Sequence, residues 1–191
     1  MTKLITAPHP KLRQVSLPIQ DIDKRMLRLF RDLEHIMRRQ NNPPAVGMAL
    51  PQLGINLRAF GTLLPNNQGS LSYRLFINPT LIATSKEKST KNPGSKDDVL
   101  EGCFSVPRLY GAVSRPVNAE FSYWTLDKNQ KLQEGKQTFI GYEARVMQHE
   151  FDHLNGILFT DYLLQSNEEL FIGARNQSQL ELIDKNIAAS F

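Results

Sequence analysis

Cysteine is almost missing from this chain: Cys103 is the single one among 191 residues. A lone thiol closes no internal disulfide, so a disulfide-stapled secreted scaffold is excluded and a reducing compartment is expected. Long apolar runs are missing as well, and no stretch approaches the ~18 residues that a membrane-spanning helix needs. The opening Met1-Thr2-Lys3-Leu4-Ile5-Thr6 has no apolar signal core and no Arg- and Ser-rich transit character. A cytoplasmic protein without a membrane partner is therefore the expectation. The excess of one charge is small: 23 basic residues against 19 acidic ones leave +4, with the basic residues dispersed along the sequence. No specific nucleic-acid site is expected from that pattern. Internal repeats and interdomain linkers are absent too, and 40% apolar with 22% charged residues is ordinary for one globular domain.

What is present is chemistry concentrated in Gln148-His149-Glu150-Phe151-Asp152-His153-Leu154. On a helix, positions i and i+4 share a face, so His149 and His153 aim both imidazoles at one point. Glu150 projects about 100° further around the axis and reaches the rim of the same site. Two imidazoles can hold a divalent metal while the neighbouring carboxylate takes a proton from water, which is the logic of H-E-x-x-H. Residues 143–148 are good helix formers without Gly or Pro, and Gly156 suits a helix stop. Taken alone, the same letters also describe an amphipathic helix with two surface histidines. Two histidines leave a weak site, and a third protein ligand has to come from elsewhere.

The remaining periodicities are structural. Ile22, Met26, Leu29, Leu33 and Ile36 or Met37 recur at helical spacing across residues 21–40, opposite Lys24, Arg28, Arg31 and Arg38. They read as core stripe, with His35 facing solvent and His9, between Pro8 and Pro10, in a surface loop. Strands are expected near residues 57–60, 75–79, 119–126 and 136–140, with turns at 65–69 and 127–129. Residues 85–98 read as a mobile surface loop, and 167–191 as a short helix with a frayed end. The order predicts one α+β domain, residues 1–191, with antiparallel or mixed sheets around a central helix that carries the metal motif.

Three segments read together are more specific than any one. Ala45-Val46-Gly47-Met48-Ala49-Leu50-Pro51-Gln52, then Glu101-Gly102-Cys103-Phe104-Ser105, then Gln148 to Leu154 resemble the ordered motifs of the peptide deformylase family. That family carries G-x-G-L-A-A-x-Q, E-G-C-L-S and Q-H-E-x-D-H-L. The resemblance continues through residues 8–13, Ile77-Asn78-Pro79 and residues 154–159, and covers about residues 4–165.

It implies that Cys103 joins His149 and His153 on one divalent metal, Fe²⁺ first, with Zn²⁺, Ni²⁺ or Co²⁺ able to substitute. It implies hydrolysis of the N-formyl group of formylmethionyl nascent peptides, with the ribosome as a candidate partner. Glu150 would act as general base and acid, and the Gln52 amide with the Phe104 backbone N–H would face the developing oxyanion. Glu101, paired with Arg115, would brace the cysteine loop. Substrate would lie along Val46, Gly47 and Gly102, its methionine in a pocket including Tyr110 and Val146. Ala45, Met48, Leu50 and Phe104 depart from the family pattern. Strain at Ala45, crowding at Leu50 and a narrowed pocket mouth at Phe104 are the corresponding expectations. They leave two alternatives in view, a changed N-acyl preference and a metal-binding homologue without activity.

Overall fold

Asp23 starts the first helix: its carboxylate accepts the Met26 N–H at 2.7 Å and so satisfies a donor that the first turn leaves open. This helix, α1 (Lys24–Arg39), buries Phe30, Leu33 and Met37 and ends ahead of Pro43 and Pro44. In the computed structural model, residues 3–41, 43–66, 68–91, 99–166, 168–173 and 179–191 are described. The strands that follow are β1 (Gly47–Ala49), β2 (Ala59–Pro65), β3 (Leu71–Thr84), β4 (Lys88–Ser89), β5 (Leu100–Cys103) and β6 (Val106–Ala112). After them come β7 (Arg115–Pro116), β8 (Asn118–Leu126) and β9 (Leu132–Ile140), the helices α2 (Tyr142–His153) and α3 (Phe159–Gln165), and then β10 (Leu170–Gly173) and β11 (Leu180–Ile183).

All pairings between these strands are antiparallel, in the order β1-β2-β3-β8-β9 for one sheet and β11-β10-β6-β5 for a second, with β4 and β7 forming a short ribbon. The α+β expectation stands, and the sheets are antiparallel. Phe60, Phe76, Phe121 and Phe139 are fully buried beside Met147 and Leu154 of the α2 segment. Each such ring contributes on the order of 1.5–3 kcal/mol by leaving water. A second cluster joins α1 to Met48, Leu50, Leu53, Ala59 and Ile77, and a third joins α3 to Val106, Leu109 and Leu170. Helix α2 is buried along most of its length, from Ala144 through Gln148 and again at Glu150, Asp152 and His153. A helix packed on several sides must satisfy its polar residues internally, and that requirement builds the site.

The structure differs from the sequence reading in four places. Residues 170–173 and 180–183 form a β-hairpin that adds strands to β6, followed by a 3-10 turn at Lys185–Ser190, where a helix was expected. Leu170-Phe171-Ile172 is a β-prone run, and the open edge of β6 offers it a ladder that overrides the helical reading. Strands β5 and β6 were not anticipated, because both are short and their glycines Gly102 and Gly111 blur the alternation. Within 85–98, β4 pairs with β7, and residues 92–98 lie outside the described residues. Ala45 is 2% exposed and is not among the residues with positive φ, so the strain expected there is absent.

Candidate metal centre and catalytic cavity

Helix geometry brings His149 and His153 to one point, and β5 delivers Cys103 to it. The sulfur and one nitrogen from each imidazole lie within 4.8 Å of one another, and Cys103 Sγ is 3.2 Å from His153 Nε2. Ligands of one tetrahedral ion with bonds of ~2.0–2.3 Å stand roughly 3–4 Å apart, so the three donors fit a single divalent cation. Donor chemistry agrees. The Gln52 side-chain amide and the Ser105 backbone N–H both donate to Cys103 Sγ at 3.4 Å, which holds the sulfur in place beside the imidazoles. The Glu101 carboxylate is 3.0 Å from His149 Nδ1, leaving Nε2 to face the centre.

Glu101 is 6% exposed and held on three sides. Arg115 grips it in a fork at 2.6 and 2.8 Å, and Arg145 adds a bond at 2.8 Å. Burial alone would push this carboxyl up, but Arg115 outweighs it and holds the group well below the usual carboxylate range. The same Arg115 reaches Asp152 at 2.8 Å, and Tyr162 donates to Asp152 at 3.0 Å. Arg145 further donates to the Val113 and Ser89 carbonyls at 2.7 and 2.8 Å. Four distant segments are thereby tied behind the two histidines.

Glu150 is the exception. It is 3% exposed, and its Oε2 is a buried oxygen with no hydrogen-bond partner among the described residues. Burial pushes its carboxyl up to about 7. An unpartnered buried carboxylate oxygen is costly and marks a group kept for an occupant. Its other face lies against Gly47, where any side chain would collide with it.

Cys103, His149, Glu150 and Glu101 line a cavity of about 330 Å³. Val46, Gly47, Gln52, Gly102, Phe104, Tyr110, Val146 and His149 all line it, so the expected substrate and catalytic residues meet on one wall system. A Cβ at Gly102 would fall 2.6 Å from the Tyr110 ring, so glycine keeps that ring in place. Gln52 also accepts the Ala49 N–H at 2.8 Å, which fixes its amide over the cysteine. Leu50 is accommodated in the α1 core, completely buried. Arg145, Asp152, Tyr142 and Arg108 were not picked out from sequence. Arg145 lies one turn before His149, and Asp152 lies inside the histidine motif, but a charged letter on a helix normally reads as solvated face.

A Cys/His₂ donor set, with both histidines and an unpartnered glutamate on one helix and the cysteine on a facing strand, defines a metal-dependent hydrolase of the H-E-x-x-H kind. Residues 1–169 match the family model described as polypeptide deformylase, and the chain belongs to that family. It is 34% identical over 172 residues to a peptide deformylase of Rhizobium meliloti (strain 1021), covering 88% of each protein. It is 31% identical over 169 residues to one of Brucella suis, again covering 88% of each. Among solved structures, a probable peptide deformylase from Synechococcus phage S-SSM7 superposes with a TM-score of 0.70 at 34% identity, covering 85% of this chain and 99% of that one. A peptide deformylase from Synechococcus elongatus in complex with actinonin gives 0.68 at 30% identity, covering 84% and 78%. The match stops at residue 169, before the hairpin of β10 and β11.

Proposed function

We propose that this chain hydrolyses the formyl group from the N-terminal formylmethionine of newly made peptides, releasing formate and a free amine. The observation that carries this reading is the unpartnered Glu150 carboxylate buried beside the Cys103, His149 and His153 donors at the floor of the cavity. Cys103, His149 and His153 would hold one divalent cation, which when bound supplies positive charge to polarise the formyl carbonyl and acidify water. A thiolate with two imidazoles suits Fe²⁺, and Zn²⁺, Ni²⁺ and Co²⁺ also accept that set. Glu150 takes a proton from the attacking water and delivers it to the departing amine. The Gln52 side-chain amide and the Phe104 backbone N–H face the carbonyl oxygen as it gains charge; losing one such donor typically costs ~10²–10³ in rate. Glu101 orients His149, and Arg115 keeps Glu101 ionised and in place.

The peptide enters as an extended strand. Strand β1 is an edge of one sheet and β5 an edge of the other, and both border the cavity. An extended chain lying on Val46, Gly47 and Gly102 would add a strand and place the methionine side chain among Tyr110, Val146 and Leu109. No helix among the described residues is long and apolar enough to cross a membrane. A ligating thiol must stay reduced, which supports a cytoplasmic site of action beside nascent chains, with the ribosome as candidate partner.

The test is formate release from a formyl-Met tripeptide by anaerobically purified protein loaded with Fe²⁺ or Ni²⁺, with acetyl-Met peptide as control. Metal-dependent release from the formyl peptide alone is expected. Bound metal without formate release would overturn the assignment.

A further inference from the structure

The chain's net charge is not spread over its surface. Six basic residues (Lys24, Arg25, Arg28, Arg31, Arg38 and Arg39) and two acidic ones (Asp32 and Glu34) lie on the sixteen residues of α1. That helix alone therefore carries +4, equal to the formal charge of the whole chain, and the remainder is neutral. All six basic side chains are exposed, and of them only Arg38 has an ion-pair partner, Glu34 at 2.8 Å, among the described residues. At about 100° per residue they fall on one side of the helix, with Asp32 among them, opposite Phe30, Leu33 and Met37. Sequence order had scattered them; helix formation lines them up along roughly 24 Å.

We infer that this face of α1 binds the phosphate backbone of single-stranded RNA. Five of the six cations are arginines, whose planar forks match phosphate oxygens in pairs and stack on bases. A cavity of about 470 Å³ opens along the flank of the helix, lined by Arg31 and Glu34 together with Arg74, which is already hydrogen-bonded to Tyr123 and Gln137. Exposed arginine planes that can stack on bases suit an unpaired strand, whose bases can leave the stack, better than a duplex. An anionic bilayer is a poorer fit. A helix that settles on a membrane offers apolar residues to it, whereas the apolar side of α1 is packed in the core and none of the large exposed apolar residues lies on this helix. Just beyond Arg39, Pro43 and Pro44 line the catalytic cavity, so RNA held on α1 would lie near the mouth through which peptide enters. The RNA contact stands independently of the catalytic reading.

Fluorescence anisotropy with a 20-nucleotide mixed-sequence RNA and the full chain tests it. Neutralising about four phosphates on a single strand gives a log–log salt slope near −2.8, hence a roughly 50-fold loss of affinity between 50 and 200 mM salt. The triple variant R25Q/R28Q/R31Q should flatten that slope by about 2 and weaken binding at least tenfold at low salt. Its turnover of formyl peptide should equal wild type, which also shows that it folds. The pair K128Q/K131Q on the β8–β9 turn should leave binding unchanged. No binding by the wild type at 50 mM salt, equal binding by the triple variant, tighter binding to a 20-base-pair RNA duplex, or tighter binding to phosphatidylglycerol vesicles or polyglutamate would each overturn the inference.

Discussion

Replacing Gly47 with alanine tests the proposed base without touching it. A Cβ at this position would lie 2.7 Å from both Cγ and Cδ of Glu150, far inside van der Waals contact. Glu150 is 3% exposed, so its carboxylate must shift within the cavity floor to make room for the methyl group. Gly47 is not among the glycines with positive φ, so alanine adds no backbone strain there. The stability loss should stay within the ~1–3 kcal/mol typical of overpacking. Catalysis should suffer more. A displacement of about 1 Å in a catalytic group costs ~10²-fold, or about 2.7 kcal/mol of barrier.

The assay is kcat/KM for formate release by G47A, E150Q and the double variant, with metal content measured on each sample. E150Q should keep its metal and lose ~10²–10⁴ in rate. If the methyl group acts only by displacing Glu150, the double variant will be no slower than E150Q, because two changes on one group do not add. Wild-type turnover by G47A would refute the contact. A G47A factor that persists in full on the E150Q background would refute its route through Glu150 and move the role of Gly47 to the substrate backbone.

R115A leaves Glu101 and Asp152 buried without their shared partner. A cost of ~3–5 kcal/mol is expected, and thermal unfolding should fall by about 6–20 °C; a drop under about 2 °C would show the ion pairs to be dispensable. C103S should lower bound metal per chain and with it formate release; full metal occupancy in this variant would remove Cys103 from the ligand set. Gly156 has φ +72°, and a Cβ there would sit 2.7 Å from the Arg13 carbonyl carbon. G156A should therefore lose at least ~2 kcal/mol from left-handed strain and overlap together, while activity per folded molecule is retained; unchanged unfolding would contradict the packing of residues 154–156 against residue 13.

The shared face of His149 and His153, with Glu150 beside it, was legible because a helix imposes its spacing on the sequence. Cys103 was not reachable that way. It lies 46 residues earlier, and only the resemblance of Glu101-Gly102-Cys103 to a family motif joined it to the histidines. Helix α1 was legible with nearly its observed bounds, yet the alignment of its cations was not, because counting adjacent charges ignores the turn of the helix. The tail misled for a different reason. Residues 170–173 become a strand because β6 has a free edge, and an edge supplied by residues sixty positions away leaves no local trace.

The buried charges behind the site show the same limit in energetic form. Read locally, Glu101, Arg115, Arg145 and Asp152 are four ordinary charged letters on strands and a helix. Burying any one unpaired would cost several kcal/mol, so each is tolerable only because the others arrive from elsewhere in the chain. Replacing the group by apolar residues could fill the same volume, so packing does not require it. Orientation of His149 does: a neutral partner at position 101 would no longer bind Nδ1 with full charge, and an ionised one survives in that interior only under Arg115 and Arg145. Glu150, the residue after His149 on α2, keeps an oxygen without a hydrogen-bond partner among the described residues. Two glutamates in one buried site are thus set apart by the arginines that hydrogen-bond one and not the other.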